Sequence, residues 1–113
     1  MRSYSQGLAT RPLIGETIGE NFENIVSRYG AREALVVRHQ GVRWTYDELN
    51  TRVDQLTRGL IEVGVSRGDR LGIWAPNCAE WVLTQFATAK LGVILVNVNP
   101  AYGTSELEHA LSQ

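Results

Sequence analysis

The sequence predicts a partial three-layer α/β fold, and two apolar runs with a helical segment between them carry this prediction. Residues 70–75 and 93–98 are short and apolar, as expected of parallel strands that are covered on both faces. Residues 78–91, which lie between them, have the length and composition of a helix. Since parallel neighbours need a crossover connection, residues 68–102 predict a right-handed βαβ unit around which the chain is arranged.

Both ends of the central helix are predicted from single residues. Asn77 offers a side-chain oxygen for the N-cap, and Glu80 stands three residues further on, as in a capping box. Gly92 is placed to end the helix in the left-handed conformation. A broad apolar face is expected to pack against the sheet, and it consists of Val82, Leu83, Phe86, Ala87 and Ala89.

Three further helices are predicted from their caps and apolar periodicity. Thr17 opens the first and Thr45 the second, and each has a glutamate three residues later that completes a capping box. Thr104 or Ser105 can cap the last one. The predicted helices span residues 18–29, 46–63, 78–91 and 105–111. On the second helix the charges alternate in sign and predict a solvated face, which comprises Arg52, Asp54, Arg58 and Glu62.

A β-hairpin is predicted at residues 34–45, between the first two helices. The segment is rich in β-forming residues, and Gly41 suits the positive φ of a hairpin loop. Residues 1–16 contain Ser, Gly, Thr and Pro without periodicity and predict a surface arm. The remaining residues, 17–113, are therefore expected to form one α/β subdomain.

Composition limits the class of protein. Hydrophobic residues make up 43% and charged residues 20%, which is typical of a soluble globular chain. A net charge of −1 gives no electrostatic reason to expect a nucleic-acid partner. No apolar run approaches the ~20 residues that a transmembrane helix needs. The single cysteine, Cys78, excludes an internal disulfide and favours a cytoplasmic location, although the sequence leaves a short transit peptide open.

Four motifs, taken in order, are similar to the opening of an acyl-CoA synthetase. They read T-Y-D-E-L at 45–49, G-V-x-x-G-D-R at 64–70, A-P-N-x-x-E-W at 75–81 and N-V-N-P-A-Y at 97–102. Their order and spacing resemble the adenylate-forming, AMP-binding ligases, and most nearly the fatty acyl-CoA branch. The resemblance covers roughly residues 12–113, which is nearly the whole chain but only the start of such an enzyme.

The resemblance implies the N-terminal segment of an ATP-dependent fatty acid–CoA ligase. The full-length enzymes use ATP, Mg²⁺ and CoA to convert a fatty acid first to an acyl-AMP and then to an acyl-CoA. They bind the phosphates with a Ser/Thr/Gly-rich loop that contains a lysine, and a second lysine lies in a C-terminal domain. Here the only lysine, Lys90, falls inside the predicted central helix. We therefore expect no catalytic, cofactor-binding or metal residues in this chain, which should be inactive alone.

The resemblance suggests a wall of a substrate or CoA channel at Asn99, Pro100 and Tyr102. Ligands gather at the carboxyl ends of strands in open α/β sheets, which supports this interpretation. The alternative is that the three residues only form a structured turn. Relatives of the fatty acyl branch often carry a basic residue at the next position, where this sequence has Gly103.

Several other residues have two interpretations. Trp74 and Trp81 are expected to pack in the core, and the alternative is that they line an acyl tunnel. Cys78 near a helix start is expected to be an inert thiol, and the alternative is a reactive one. The chain as a whole has an alternative function as a stand-alone module that forms a homodimer through an exposed sheet edge.

Overall fold

The order of helices and strands follows the prediction closely. The computed structural model describes residues 3, 5, 7, 8 and 10–113, so the predicted arm at 1–16 lies partly outside the described residues. The elements are α1 Ile18–Tyr29, β1 Glu33–Val37, β2 Val42–Thr45, α2 Tyr46–Glu62, β3 Arg70–Trp74, α3 Ala79–Leu91, β4 Ile94–Val98 and α4 Thr104–Leu111. A single 3-10 turn, Arg38–Gln40, connects β1 to β2. None of the described helices combines the length and apolar character that crossing a membrane requires.

The strands form two small sheets. β3 and β4 are parallel, in a register that pairs Arg70 with Ile94 and Trp74 with Val98. β1 and β2 are antiparallel neighbours in the predicted hairpin, and Gly41 has the expected positive φ of 66°. The predicted α/β fold with its βαβ unit is therefore confirmed. Since β3 and β4 run in the same direction, both end at one edge, where a connecting segment follows each strand.

The core lies where α1, α2 and α3 meet. Its buried residues are Phe22, Val26, Leu49, Val53 and Ala87. Phe22 stacks on Phe86 with 4.3 Å between ring centroids and 22° between ring planes. The face of α3 that is expected against the sheet contributes Val82, Leu83 and Phe86 to the helical core, so α3 packs against α1 and α2 as well. A two-stranded sheet is too narrow to cover a helix by itself, and the apolar stripes of α1 and α2 require a partner.

Lys90 connects the three helices through a polar cluster. Its ammonium lies 2.6 Å from Asn50 Oδ1 and 2.7 Å from Asp54 Oδ1 on α2, and 3.3 Å from Glu23 Oε1 on α1. The Lys90 side chain is only 10% exposed, so these oxygens replace most of its hydration. The nitrogen also lies 5.5 Å from the centre of the Phe22 ring. Lys90 therefore contacts both the polar side chains at the edge of the core and the Phe22 ring within it.

The predicted solvated face of α2 is only partly correct. Asp54 forms the ion pair with Lys90 across the α2–α3 interface. The Arg52 guanidinium lies 4.4 Å from the centre of the Trp44 ring and so covers the hairpin. Periodicity placed both charges on the outer side of α2, but long side chains reach across a helix surface to neighbouring elements.

The helix caps agree with the sequence at α1 and differ at α4. Thr17 Oγ1 accepts from the Glu20 N–H at 3.1 Å, and Glu20 returns the bond by accepting from the Thr17 N–H at 3.0 Å. At α4 the N-cap is Gly103, with no side-chain cap bond, so the predicted cap by Thr104 or Ser105 is wrong. The helix begins one residue earlier than predicted, and the Ser105 hydroxyl donates to the adjacent Glu106 carboxylate instead.

Replacing Lys90 tests the polar cluster. In Lys90→Met, Asn50 and Asp54 lose a charged donor and face an apolar side chain. Because Asp54 is partly exposed and regains water, we expect a loss of about 1–2 kcal/mol in the free energy of unfolding. Urea denaturation measures the loss, and Arg58→Met, which removes an exposed cation from α2, is the control and should change stability by less than about 0.5 kcal/mol. Equal stability of the two variants would contradict this role of Lys90.

Candidate functional site

A cleft of about 580 Å³ opens at the edge where β3 and β4 end. The residues that line it come from the end of β4, the two connecting segments and the first turn of α3: Ala75, Pro76, Asn77, Trp81, Asn97, Val98, Asn99, Pro100 and Tyr102. The three residues predicted as a channel wall therefore lie together in one cleft. Their role as a channel wall stays a prediction.

Asn99 organises the segment that follows β4. Its carbonyl accepts from the Tyr102 N–H at 3.0 Å and closes a β-turn with Pro100 at the second position. Its side-chain oxygen accepts from the Ala101 N–H at 2.9 Å, as in an Asx turn. The Trp74 indole N–H donates to the same Asn99 carbonyl at 3.1 Å. The segment is therefore a structured turn, and the turn itself presents Tyr102 to the cleft.

The two tryptophans differ in environment. Trp74 is 47% exposed, so the prediction that it packs in the core is wrong. Strand alternation places it on the face opposite buried Ile73. Trp81 is half-buried and lines both the cleft and an adjacent cavity of about 340 Å³ between α3 and β4. Trp81 and Asn97 thus line both spaces.

The described lining of the cleft is uncharged. Three asparagine amides and the Tyr102 phenol supply its polar groups, and the indole of Trp81, two prolines and Val98 supply apolar surface. Such a lining fits an alkyl chain or another neutral group, because apolar surface is buried while a few polar groups fix orientation. It has no cation to balance the charge of a phosphate.

The start of α3 is held by a residue from the hairpin. The predicted cap by Asn77 with a capping box at Glu80 is wrong, since the N-cap is Cys78 and its side chain forms no cap bond. Instead Gln40 Oε1 accepts from the Ala79 N–H at 2.8 Å, and Gln40 Nε2 donates to Glu80 Oε2 at 2.9 Å. Sequence reasoning missed Gln40 because it is 39 residues from Ala79, and local patterns report only neighbours along the chain.

Glu80 is stabilised as a carboxylate by the groups around it. The Gln40 amide is the main cause, with smaller contributions from the Glu80 backbone N–H and the Cys78 thiol, and together they hold the pKa of Glu80 below its usual 4.5. The neighbouring Cys78 is half-buried at the helix start. The choice between an inert and a reactive thiol stays open at this position.

The described residues do not fit the phosphates of ATP or Mg²⁺. Lys90 is enclosed by its oxygen ligands at the far end of α3 and does not reach the cleft lining. Glycines with positive φ occupy separate turns, at Gly41, Gly64, Gly68 and Gly92. Nowhere in the described part of the chain do three or more His, Cys, Asp or Glu side chains gather as metal ligands. The cleft lining contains neither Lys90 nor any of these glycines.

Comparison with known sequences identifies a family. The family model described as AMP-binding enzyme matches residues 22–113. The human protein named medium-chain acyl-CoA ligase ACSF2, mitochondrial, is 48% identical over 111 residues, which are 98% of this chain and 18% of that protein. A Bacillus subtilis protein named putative acyl-CoA synthetase YngI is 41% identical over 89% of this chain and 18% of its own length. The chain thus spans about a fifth of the length of these relatives.

Comparison with solved structures agrees. The N-terminal domain of FACL13 from Mycobacterium tuberculosis superposes with a TM-score of 0.82 and 27% identity, over 86% of this chain and 25% of that structure. The N-terminal subdomain of NpsA from Klebsiella oxytoca gives a TM-score of 0.79 and 25% identity, over 85% of this chain and 25% of that structure. The helices and strands described above therefore form part of a known N-terminal adenylation fold.

The lowered pKa of Glu80 predicts a pH dependence of stability. A carboxyl whose pKa is lower in the folded state than in the unfolded state stabilises the fold above the unfolded pKa. This stabilisation is lost as the pH falls through the folded value, which lies below 4.5. Between about pH 6 and about pH 3, Glu80→Gln should lose less urea resistance than the unmodified chain. Glu62→Gln, at the exposed end of α2, is the control and should keep the original acid sensitivity; an equal loss in Glu80→Gln would contradict the assignment.

Proposed function

This chain belongs to the family of AMP-binding enzymes, and on that premise we propose that it is the N-terminal part of an ATP-dependent ligase that joins fatty acids to CoA. The observation that carries the proposal is 48% identity over 98% of the chain to a medium-chain acyl-CoA ligase. Because the chain spans only 18% of that relative, the activity belongs to a longer protein. Medium-chain fatty acids are the proposed substrate class.

The proposed reaction has two steps. A carboxylate oxygen of the fatty acid attacks the α-phosphorus of ATP, and pyrophosphate leaves as the acyl-AMP forms. The CoA sulfur then attacks the acyl carbon, and AMP leaves. Negative charge develops on phosphate oxygens in the first step and needs cations or backbone N–H groups. Since the described residues offer no such site, we expect this chain to supply binding surface and no catalytic residue.

The cleft is the proposed contribution of this chain to the longer enzyme. Asn99, Pro100 and Tyr102 face residues 75–77 across it, and the lining between them is uncharged. We infer that this surface forms part of the wall of the channel for the fatty acyl chain or for the uncharged arm of CoA. The carboxyl ends of strands are the usual position for ligands in open α/β sheets, which supports this placement.

Titration with octanoate tests the cleft. We expect octanoate to shift the NMR signals of residues 99–102 and of the Trp81 indole in the isotope-labelled chain. Tyr102→Ala should weaken the interaction about fivefold, because loss of the ring removes roughly 1 kcal/mol of apolar contact. Tyr29→Ala, which removes a similarly exposed tyrosine from α1, is the control. Shifts confined to other parts of the chain, or none at all, would refute the cleft as an acyl-chain surface.

The same preparation tests whether the chain acts alone. Mixed with ATP, Mg²⁺, octanoate and CoA, it should release no pyrophosphate above the rate in buffer. Measurable release that depends on octanoate would overturn the proposal that the catalytic groups lie elsewhere.

Self-association is the second candidate function, and the sheet of β3 and β4 favours it. Among the described residues each of these strands pairs with one other strand, so its outer edge carries backbone N–H and C=O groups that no described strand pairs. Trp74 and Ile94 are 47% and 50% exposed on the same face of this sheet. A homodimer that pairs these edges would satisfy the backbone groups and cover the apolar side chains.

Sedimentation over a range of concentrations separates the two candidates. Edge pairing predicts dimers that Ile94→Lys converts to monomers, whereas Ile61→Lys on α2, at a similarly exposed isoleucine, leaves them intact. A monomer at every concentration would exclude the dimer and leave the ligase segment as the function.

The location of the protein stays a prediction. The sequence favours the cytoplasm, whereas the names of the ACSF2 relatives state a mitochondrial location. We propose the cytoplasm, with the mitochondrion as the alternative that these names support.

A further inference from the structure

Both polar atoms of the Gln40 amide form hydrogen bonds to the first turn of α3. The oxygen accepts from the Ala79 N–H at 2.8 Å, and the nitrogen donates to the two Glu80 carboxylate oxygens at 2.9 and 3.3 Å. This orientation pairs a donor with an acceptor at each contact. Glutamine is suited to the position, because a glutamate would repel Glu80 and an asparagine is one methylene shorter.

The hydrogen bonds from Gln40 replace an N-terminal helix cap that the neighbouring residues do not supply. The first N–H groups of a helix have no partner within the helix, and an uncapped first turn frays. The N-cap residue, Cys78, forms no side-chain cap bond, so Gln40 provides the contact that holds the Ala79 N–H. The helix start also has a backbone bond of its own, from the Trp81 N–H to the Cys78 carbonyl at 3.2 Å.

Ala79 and Glu80, the residues that Gln40 contacts, lie between two parts of the cleft wall. Residues 75–77 precede Ala79 and Glu80, Trp81 follows them within the same turn, and all but Ala79 and Glu80 line the cleft. In the part of the chain that the structure describes, no backbone hydrogen bond outside the helices and strands involves residues 75–77. Pro76 has no N–H to donate. The position of this wall therefore depends on where the first turn of α3 is held.

We propose that Gln40 is a positioning residue for the cleft: it holds the first turn of α3 and thereby fixes residues 75–77 and Trp81. The hairpin, which takes no part in the cleft lining, thus sets the shape of the cleft from a distance. As far as a fatty acyl ligand is concerned, this inference rests on the proposed function. The positioning itself is a property of the unliganded chain.

The test compares unliganded, isotope-labelled chains by NMR. Gln40→Met keeps the length of the side chain and removes both hydrogen bonds, and Gln55→Met, at an exposed glutamine of α2, is the matched control. In Gln40→Met the exchange of the Ala79 amide should rise about five- to tenfold, the pKa of Glu80 should rise towards its usual value, and the signals of residues 75–77 and Trp81 should shift. Exchange of the Val53 amide in the core should not change.

Two results would overturn the proposal. Changes confined to Ala79 and Glu80 would mean that Gln40 caps α3 without positioning the wall. A parallel rise in Val53 exchange would mean that the effect is a general loss of stability. A second variant, Gln40→Glu, keeps the acceptor for the Ala79 N–H, removes the donor to Glu80 and adds a like charge. It should also shift the NMR signals of residues 75–77.

Octanoate titration then separates this proposal from the proposed function. If octanoate binds the unmodified chain, Gln40→Met should weaken binding several-fold while Gln55→Met leaves it unchanged. If octanoate leaves the cleft signals of the unmodified chain unaltered, the proposed function fails, and the comparison of unliganded chains still decides the role of Gln40.

Discussion

The structure depends on the contacts of α3 with α1, with α2 and with the strands β3 and β4. One side of the helix carries Phe86 and Ala87 into the core with α1 and α2. Another side follows the parallel strands that α3 itself connects. α1 crosses closely near the C-terminal end of α3, where a Cβ on Gly19 would lie 3.3 Å from the Ala89 carbonyl oxygen and the Lys90 Cα. A larger residue at this position would push the two helices apart by a few tenths of an ångström, so the glycine favours the close approach.

The two ends of α3 are fixed by long-range polar contacts of different kinds. At the C-terminal end, Lys90 uses its ammonium to join α2 and α1, which makes the only lysine of the chain part of the framework. At the N-terminal end, Gln40 from the hairpin replaces a local cap. The helical layer and the hairpin therefore determine together where the cleft wall stands, although neither of them lines most of it.

Features encoded by neighbouring residues could be predicted from the sequence, and features that depend on distant contacts could not. The α1 bounds and the Thr17 cap follow from residues three positions apart. The orientation of α3 could not be predicted from the sequence. The helix is apolar on more than one side, and its pattern does not indicate which neighbouring element each side contacts. Trp74 was misjudged for a related reason: strand alternation gives its face, but not whether another element covers that face.

The residues of the candidate site also divide into those that the sequence predicts and those that it does not. The resemblance singled out Asn99, Pro100 and Tyr102, and the structure brings them together in one cleft with residues 75–77. The sequence predicts Trp81 as a core residue and does not predict Gln40, whose role depends on a contact across 39 residues. The uncharged lining and the enclosed Lys90 support the proposal that this chain supplies binding surface to a longer enzyme.

The central claim is that this chain is the structural equivalent of one segment of an acyl-CoA ligase. The most direct measurement replaces the matching 111 residues of human medium-chain acyl-CoA ligase ACSF2 with this chain and follows octanoyl-CoA formation by the chimera. If the segments are equivalent, the chimera should retain activity within about tenfold of the parent, a difference of ~1.4 kcal/mol in transition-state stabilisation. A chimera that folds like the parent but forms no octanoyl-CoA would contradict the account.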